Sequence, residues 1–321
     1  MMSKHPKNIL LLLSVPVLLI YGCGKDPVTT PDPEPQDTTT WNKPAINPLT
    51  YTRDSAVNDY KQMYLASALT SVNWTGSTTG CNAGTVPQNV HDAVLKRINY
   101  FRKITGLNYN CVMDESLYAA QQQTALMMTA NGDLDHNPPT SWSCYTTEGA
   151  DGAKKSNLRL GSSGSIAVDA FMEDSEEYNV DAGHRRWLLY SKQSAFSHGT
   201  TDDVEVIHVL VKSDNTYIPE FIAYPPANFV PIQVMYPRWS FSIPDADFSA
   251  AKVTVKSDGQ NMSLDVVSRT TKVADNTIVW DMGAGSIPSD ISTDKTYTVT
   301  VSGVKGTSKD TYTYDVVMIK P

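Results

Sequence analysis

The sequence lacks the short motifs that mark several common classes of enzyme and nucleotide-binding protein. No HExxH zinc helix, no pair of CxxC motifs, no P-loop and no GxGxxG fingerprint occur in its 321 residues. Basic charge is also scarce, because 26 Lys and Arg face 34 Asp and Glu, for a formal net charge of -8. No basic stripe is present that could follow a phosphate backbone, so no nucleic-acid partner is expected.

Long apolar runs are rare as well, and the run at residues 9–20 is too short to span a bilayer comfortably. It follows Lys4 and Lys7 and ends at Gly22-Cys23, which is typical of a cleaved leader. Gly22-Cys23 resembles a bacterial lipobox, whose Cys receives a diacylglyceryl group. We therefore predict a lipoprotein signal peptide at residues 1–22 and lipidation at Cys23. An ordinary secretory signal with an incidental cysteine is the alternative.

The mature chain is thus expected to be extracytoplasmic and anchored through lipidated Cys23 in a bacterial cell envelope, at the outer membrane or the cell surface. Residues 23–50 are rich in Pro and Thr. Such a composition buries too little apolar surface to fold, so this segment is predicted to be a tether that holds the folded part away from the membrane.

Cysteine is scarce too, since only Cys81, Cys111 and Cys144 follow Cys23. An exported chain is free to form disulfides, so one bridge and one free thiol are expected. These residues by themselves leave three pairings open.

Three helices are indicated by apolar residues at helical spacing. The first is expected at residues 55–69, the second ends before Gly106, and the third is capped by Asp114 and ends at Asn131-Gly132. Prolines hold His136 on the loop that leaves the third helix.

The following stretch, residues 145–165, is rich in Gly, Ser and Ala. Its Gly-Ser-Ser-Gly-Ser segment has no glycine at position 165, where a G-x-S-x-G nucleophile elbow needs one, and no strand is indicated before it. We therefore predict a flexible loop that ends in Ser165 as a helix N-cap.

In residues 166–190 a carboxylate interrupts a helical apolar stripe. The residues at that spacing are Ile166, Ala170, Phe171, Asp174 and Tyr178. A buried carboxylate needs a partner, and His184 is the nearest candidate, in the first turn of a short helix that Asp181 is expected to cap. The positive helix end favours a neutral imidazole, which can accept a proton or bind a metal. A structural polar pair inside the core is the alternative.

Strands dominate from residue 204 onward. Residues 204–211 alternate as a strand, with Val204, Val206 and His208 on one face, and His208 is expected to be structural. Seven short alternating runs follow from about residue 229 and predict an antiparallel β-sandwich. The runs are 232–235, 239–243, 252–255, 262–266, 277–280, 297–301 and 312–318.

Several segments, taken in order over residues 85–212, resemble the CAP superfamily of cysteine-rich secretory proteins, antigen 5 and pathogenesis-related 1 proteins, also called SCP. They are the helix at 97–102, the helix at 119–128, Leu134-Asp135-His136, residues 171–178 and Gly183-His184-Arg185-Arg186. The resemblance implies an α+β protein. A CAP-type α-β-α sandwich with an N-terminal helix is expected at residues 51–225, followed by an all-β immunoglobulin-like sandwich at 226–321.

The family's cleft displays two His and two Glu. By position the histidines are His136 and His184, and Asp174 replaces one Glu. Ser156 stands where the other Glu would be, and a hydroxyl cannot supply the missing charge. The sequence makes no cofactor certain, and a divalent metal such as zinc would have His136, His184 and Asp174 as ligands.

The chain is similar in particular to a bacterial branch in which the CAP domain continues into a β-rich domain. The shared segments include residues 81–86, 141–146, 156–158, 183–187 and 238–242. This resemblance implies a Cys81–Cys144 bridge, a free Cys111 and a serine at 156 as normal for the branch.

Two functions follow from these expectations. The first is non-enzymatic binding of an unknown protein or small apolar ligand through the CAP cleft. The second is a metal-assisted hydrolase of the peptidase type, with His136 and His184 as ligands, Asp174 as ligand or base, and a bound water as nucleophile. The missing second acid favours binding. His198, near the expected cleft rim, is predicted to be a plain loop residue.

Overall fold

A computed structural model describes residues 51–283 and 285–321. The predicted leader, lipidated Cys23 and tether lie outside the described residues, which fall within one compact unit. The helices are α1 (Arg53–Asp59), α2 (Gln88–Ile104), α3 (Tyr118–Asn131), α4 (Thr147–Lys154), α5 (Ser165–Glu173) and α6 (Gly183–Leu188). Among the helices described, none combines the length and the apolar character needed to cross a bilayer.

The first three predicted helices are confirmed. Helix α1 continues through a π turn and a 3-10 turn as far as Ser67. Asp114 caps a 3-10 turn that leads into α3, and its carboxylate accepts a hydrogen bond from the Ser116 N–H. Gly132 ends α3 with a φ of 61°, a left-handed conformation that glycine adopts without strain.

The first sheet has four strands in the order β1-β3-β4-β2. They are β1 (Val112–Met113), β2 (Ser156–Leu160), β3 (Ala195–Thr200) and β4 (Val204–Lys212). Strand β1 is parallel to β3, and the other pairs are antiparallel.

Helices cover both faces of this sheet, because alternate residues of β4 belong to different hydrophobic cores. Val204 and Val206 pack with residues of α3 and α4. Ile207 and Val209 pack on the other side with residues of α2 and α5. Gly199 in β3 lies so close to α3 that an added Cβ would collide with the backbone of Gln121. The α-β-α sandwich expected from the resemblance is therefore present.

Helix α4 and strand β2 occupy most of the Gly-rich stretch at residues 145–165. The predicted Gly-Ser-Ser-Gly-Ser loop follows β2 directly and leads into α5, although no strand was expected before it. An added Cβ at Gly152 would collide with the Thr124 hydroxyl of α3. This glycine therefore permits a close helix contact and does not mark a flexible turn. Ser165 is the first residue of α5 and not its N-cap, and its hydroxyl donates to the Ser67 carbonyl at 2.6 Å.

The C-terminal part is an all-β sandwich of two sheets. The four-stranded sheet has the order β10-β11-β7-β5, and the five-stranded sheet has the order β6-β13-β12-β8-β9. Its strands are β5 (Ile222–Tyr224), β6 (Phe229–Pro231), β7 (Arg238–Ser242), β8 (Lys252–Ser257), β9 (Gln260–Asn261), β10 (Leu264–Thr270), β11 (Thr277–Met282), β12 (Lys295–Ser302) and β13 (Thr311–Ile319).

This strand order confirms the immunoglobulin-like fold. Strands β5, β7, β11 and β10 correspond to strands A, B, E and D, and β8, β12 and β13 correspond to C, F and G. Strand β6 adds to strand G in parallel, so the sandwich is not wholly antiparallel. The predicted strand at 232–235 is a 3-10 turn, because the strand ends at Pro231.

One continuous hydrophobic core joins the sandwich to the α-β-α part. Trp239 and Tyr297, from facing sheets, have ring centroids 5.7 Å apart. The Tyr224 ring of β5 contacts Phe101 of α2 at 6.1 Å. Strand β5 pairs with β7 although it precedes residue 226, where we expect the second domain to begin. That boundary stays a prediction.

The Cys81–Cys144 disulfide implied by the resemblance is present, and Cys111 is free and buried. The bridge closes a segment with a sequence separation of 63 residues. It ties the irregular chain before α2 to the irregular chain before α4.

Replacing both Cys81 and Cys144 by Ala should lower the free energy of unfolding by about 4 kcal/mol, the loop-closure estimate for a ring of this size. Denaturant titration measures this difference. The single Cys111→Ser variant is the control that keeps the bridge. An equal loss in both variants would contradict a specific role for the bridge.

A buried polar cluster links α2 to strands β3 and β4. His198 is fully buried in β3, so the prediction of a loop residue is wrong. Its Nδ1 lies 2.8 Å from Nδ1 of His91, and its Nε2 lies 2.8 Å from Oε1 of the fully buried Glu205. His91 stacks on the ring of Tyr118 at 3.7 Å. Burial, with the neighbouring His198, lowers the pKa of His91 to about 3.

This cluster should make the protein sensitive to acid. The folded state keeps His91 neutral down to about pH 3, whereas an unfolded histidine gains a proton near pH 6.5. The stabilisation is therefore present above about pH 6.5 and is lost as the pH falls towards 3. We expect Tm to fall less between pH 7 and pH 4.5 in His91→Phe than in the wild type. The exposed His136→Gln is the control, and equal slopes in all three proteins would rule the explanation out.

Candidate functional site

Asp174 and His184 meet at one end of the α-β-α part, but not through the predicted helical stripe. Helix α5 ends at Glu173, and Asp174 follows it in a left-handed conformation with a φ of 48°. Tyr178 is 85% exposed and Ile166 is 64% exposed, so neither continues a buried face. Residues 174–182, called here the 174–182 loop, connect α5 to α6.

The buried carboxylate of Asp174 has three hydrogen-bond donors. Its Oδ1 lies 2.8 Å from Nδ1 of His184 and accepts from Nδ2 of Asn179 at 2.6 Å. Its Oδ2 accepts from the backbone N–H of Arg185 at 3.1 Å. Because this N–H belongs to the first turn of α6, Asp174 provides the negative charge that a helix N-terminus favours.

Asn179 also caps α6, since its Oδ1 accepts from the Gly183 N–H at 3.1 Å. The expected cap, Asp181, instead accepts a hydrogen bond from Ser268 of β10. The sequence offered no signal for Asn179, because it lies three residues before Ala182, the residue at the N-cap position.

His184 is held with one ring nitrogen engaged and the other available. Its side chain is 22% exposed, and its ring packs against Phe171 at 5.1 Å. Nδ1 faces Asp174, so the hydrogen bond of Nδ1–H sets the tautomer and leaves Nε2 for a ligand or a proton. No hydrogen bond within residues 51–283 or 285–321 engages Nε2 of His184.

The expectation of a neutral imidazole is wrong in direction. Burial lowers the pKa of His184, but the hydrogen bond to Asp174 and the charges of Asp174 and Glu176 outweigh it. The pKa therefore lies above that of a free histidine.

The other two predicted site residues have different surroundings. Ser156 is buried in β2, and its hydroxyl contacts Oε1 of Gln121 at 3.0 Å and the Gly152 carbonyl at 2.7 Å. Nδ1 of the exposed His136 donates to the Ala153 carbonyl at 2.8 Å. In the described part of the chain no hydrogen bond or ion pair joins either residue to Asp174 or His184.

Strand β2 nevertheless reaches the site through its next residue. Asn157, which points to the opposite face from Ser156, donates from Nδ2 to the His184 carbonyl at 2.9 Å. His208, the register partner of Ser156, accepts from Gln121 at 3.1 Å and is buried, as predicted for a structural histidine. Burial lowers its pKa to about 4.

Glu176 is a site residue that the sequence did not single out, because acidic residues surround it. Within the described ranges, the one group of three His, Cys, Asp or Glu side chains able to hold a metal is Asp174, Glu176 and His184, with ligand atoms within 4.8 Å of one another. His136 is not part of it. The fit is partial, because Asp174 would have to release His184 and Glu176 is ion-paired to Arg159. Asp174 is placed better to orient the imidazole than to bind a cation directly.

The α-β-α sandwich and the Asp174–His184 pair agree with the CAP-type domain that the sequence resembles. The family model of the cysteine-rich secretory protein family, CAP, matches residues 95–202. These residues are therefore a CAP domain. No curated protein and no solved structure matches the chain.

Replacing Asp174 by Asn should lower the pKa of His184, because the carboxylate is what raises it. The pair stabilises the fold below about pH 6.5, and this contribution is lost as the pH rises through the raised pKa of folded His184. The variant should also lose about 3 kcal/mol of stability, since a buried partner is removed. An NMR titration of the His184 ring measures the change in pKa, and a denaturation curve measures the change in stability. Asp181→Asn is the matched control, and a His184 pKa that is the same in both variants would contradict the assignment.

Proposed function

We propose that this chain is a lipid-anchored, extracytoplasmic CAP protein that binds a partner, either another envelope protein or a small apolar ligand, through the region around His184, without catalysis. The observation that carries the proposal is the state of Ser156. The position where the resemblance expects an acid is a buried hydroxyl already engaged by Gln121 and Gly152. No carboxylate at that position can move a proton during hydrolysis, and Glu176, the other acid near His184, is ion-paired to Arg159.

The 174–182 loop supports a binding role. Tyr178 is 85% exposed and Val180 is 38% exposed, so the loop presents apolar surface beside the polar pair. Tyrosine is enriched at protein interfaces because its large ring ends in a polar group. The leader, the lipobox and the Pro-rich tether of the sequence support anchoring outside the cytoplasm.

A photo-crosslinking amino acid at Tyr178, in cells that express the chain, tests the binding role. We expect a discrete product from position 178 that disappears when His184→Ala is added. The same probe at Thr254, an exposed position of β8, is the control. Identical products from positions 178 and 254, or a product that is indifferent to His184, would contradict the proposal.

A second candidate function is metal-assisted hydrolysis, which the grouping of Asp174, Glu176 and His184 favours. Imidazole and carboxylate are ligands that zinc accepts. Bound there, the metal would supply an activated water, while Asp174 would orient the His184 ring.

Native mass spectrometry with added Zn²⁺ separates the two functions. The binding role predicts no stoichiometric zinc adduct in the wild type. An adduct that is lost in His184→Ala and Glu176→Gln but kept in His136→Ala would support the metal site at these three residues. Loss in His136→Ala as well would instead support the ligand set that the family resemblance implies.

A further inference from the structure

The 174–182 loop is also held by a residue of the β-sandwich. Arg238 is the first residue of β7, and its side chain is only 5% exposed. Its Nη1 donates to the carbonyl oxygens of Asp174 at 2.8 Å, Glu176 at 3.0 Å and Asn179 at 3.1 Å. One guanidinium thus binds the backbone of the three loop residues whose side chains surround His184.

The orientation of this guanidinium is set within the sandwich. Asp281 of β11 accepts from Nε of Arg238 at 2.7 Å and from Nη2 at 3.0 Å, a two-point ion pair. Asp281 and Arg238 are direct partners in the antiparallel register of β7 and β11. The pairing of β7 with β11 therefore orients the Arg238 guanidinium independently of the 174–182 loop.

Arg185, the neighbour of His184, makes the reverse contact. It is fully buried, and its Nη1 donates to the carbonyl of Arg238 at 2.9 Å. Its Nε and Nη2 donate to the carbonyls of Met172 and Glu173, each at 2.6 Å. Arg238 thus binds the backbone of the 174–182 loop, and Arg185 binds the backbone of Arg238 and of the end of α5.

We infer that Arg238 is a positioning residue of the CAP site, so that the sandwich is part of the site and not a spacer. Arg238 acts through Asp174. By holding the Asp174 carbonyl while this residue is left-handed, it keeps the carboxylate against Nδ1–H of His184 and the N–H of Arg185. Arg238 lies outside residues 95–202, which the CAP family model matches. The inference deepens the proposed binding function and rests on it, but its test requires no ligand.

The test uses the full chain with ¹⁵N-labelled histidine and arginine and compares the wild type with Arg238→Met. The readouts are the Nδ1–H resonance of His184, assigned by its absence in His184→Gln, and the exchange rate of the Arg185 amide. We expect the resonance to be lost in Arg238→Met and amide exchange to rise about tenfold, as for one lost hydrogen bond. Arg238→Lys should recover these signals only in part, because an ammonium cannot reproduce the planar fork.

Arg186→Met is the matched control. The side chain of Arg186 is buried and donates to Thr277 and Asp275 of the sandwich, each at 3.0 Å, and among the described residues it makes no hydrogen bond to the 174–182 loop. This variant should weaken the contact between α6 and the sandwich but keep the His184 resonance. Retention of the resonance in Arg238→Met, or its equal loss in Arg186→Met, would overturn the inference.

A milder variant covers the case in which Arg238→Met does not fold. Asp281→Asn leaves the guanidinium but weakens the ion pair that orients it, so Arg185 amide exchange should rise to a smaller extent, and unchanged exchange counts against the inference. The crosslinking experiment at position 178 separates the two proposals. Absence of a crosslinked product in the wild type, together with an intact His184 resonance, counts against the binding function alone.

Discussion

The burial of three arginines at one junction is the constraint on which the rest of the structure depends. A guanidinium stays charged in proteins, so a buried arginine needs hydrogen-bond acceptors in place of water. Arg185 and Arg238 are bound by carbonyls at the end of α5, in the 174–182 loop and in β7. Burial lowers the pKa of Arg186 to about 10, which still leaves it charged at neutral pH. Separating the CAP domain from the sandwich would leave these charges and carbonyls without partners.

The same constraint shapes the candidate site. Asp174 can be buried as a carboxylate because α6, His184 and Asn179 supply its donors, while Arg238 holds its carbonyl. The result is an imidazole with one nitrogen engaged and the other available. Such a pair suits recognition as well as chemistry, and the proposed binding role rests on the Ser156 hydroxyl, which Gln121 and Gly152 engage.

Much of the fold was predictable from the sequence. The stripes of α2 and α3 and the alternation in β4 repeat over several turns or residues, so local pattern and tertiary packing agree. The errors occurred where a residue has two physical roles. Gly152 permits a close contact between α4 and α3, although no helix was predicted in this Gly-rich stretch. Polar His198 was expected outside the core, whereas His91 and Glu205 give it partners inside.

The sequence by itself determined the α+β class, the β-rich C-terminal part and the pairing of Asp174 with His184, because periodicity and spacing are local properties, and its resemblance to a family indicated the CAP domain. Only the tertiary structure decided that Ser156 is engaged elsewhere, that Glu176 and Asn179 join the site, and that Arg238 holds the 174–182 loop. The physical reason is that hydrogen bonds between segments depend on backbone carbonyls, which every residue carries and no side-chain pattern distinguishes. Arg238 lies 64 residues after Asp174, and only the folded chain brings them together.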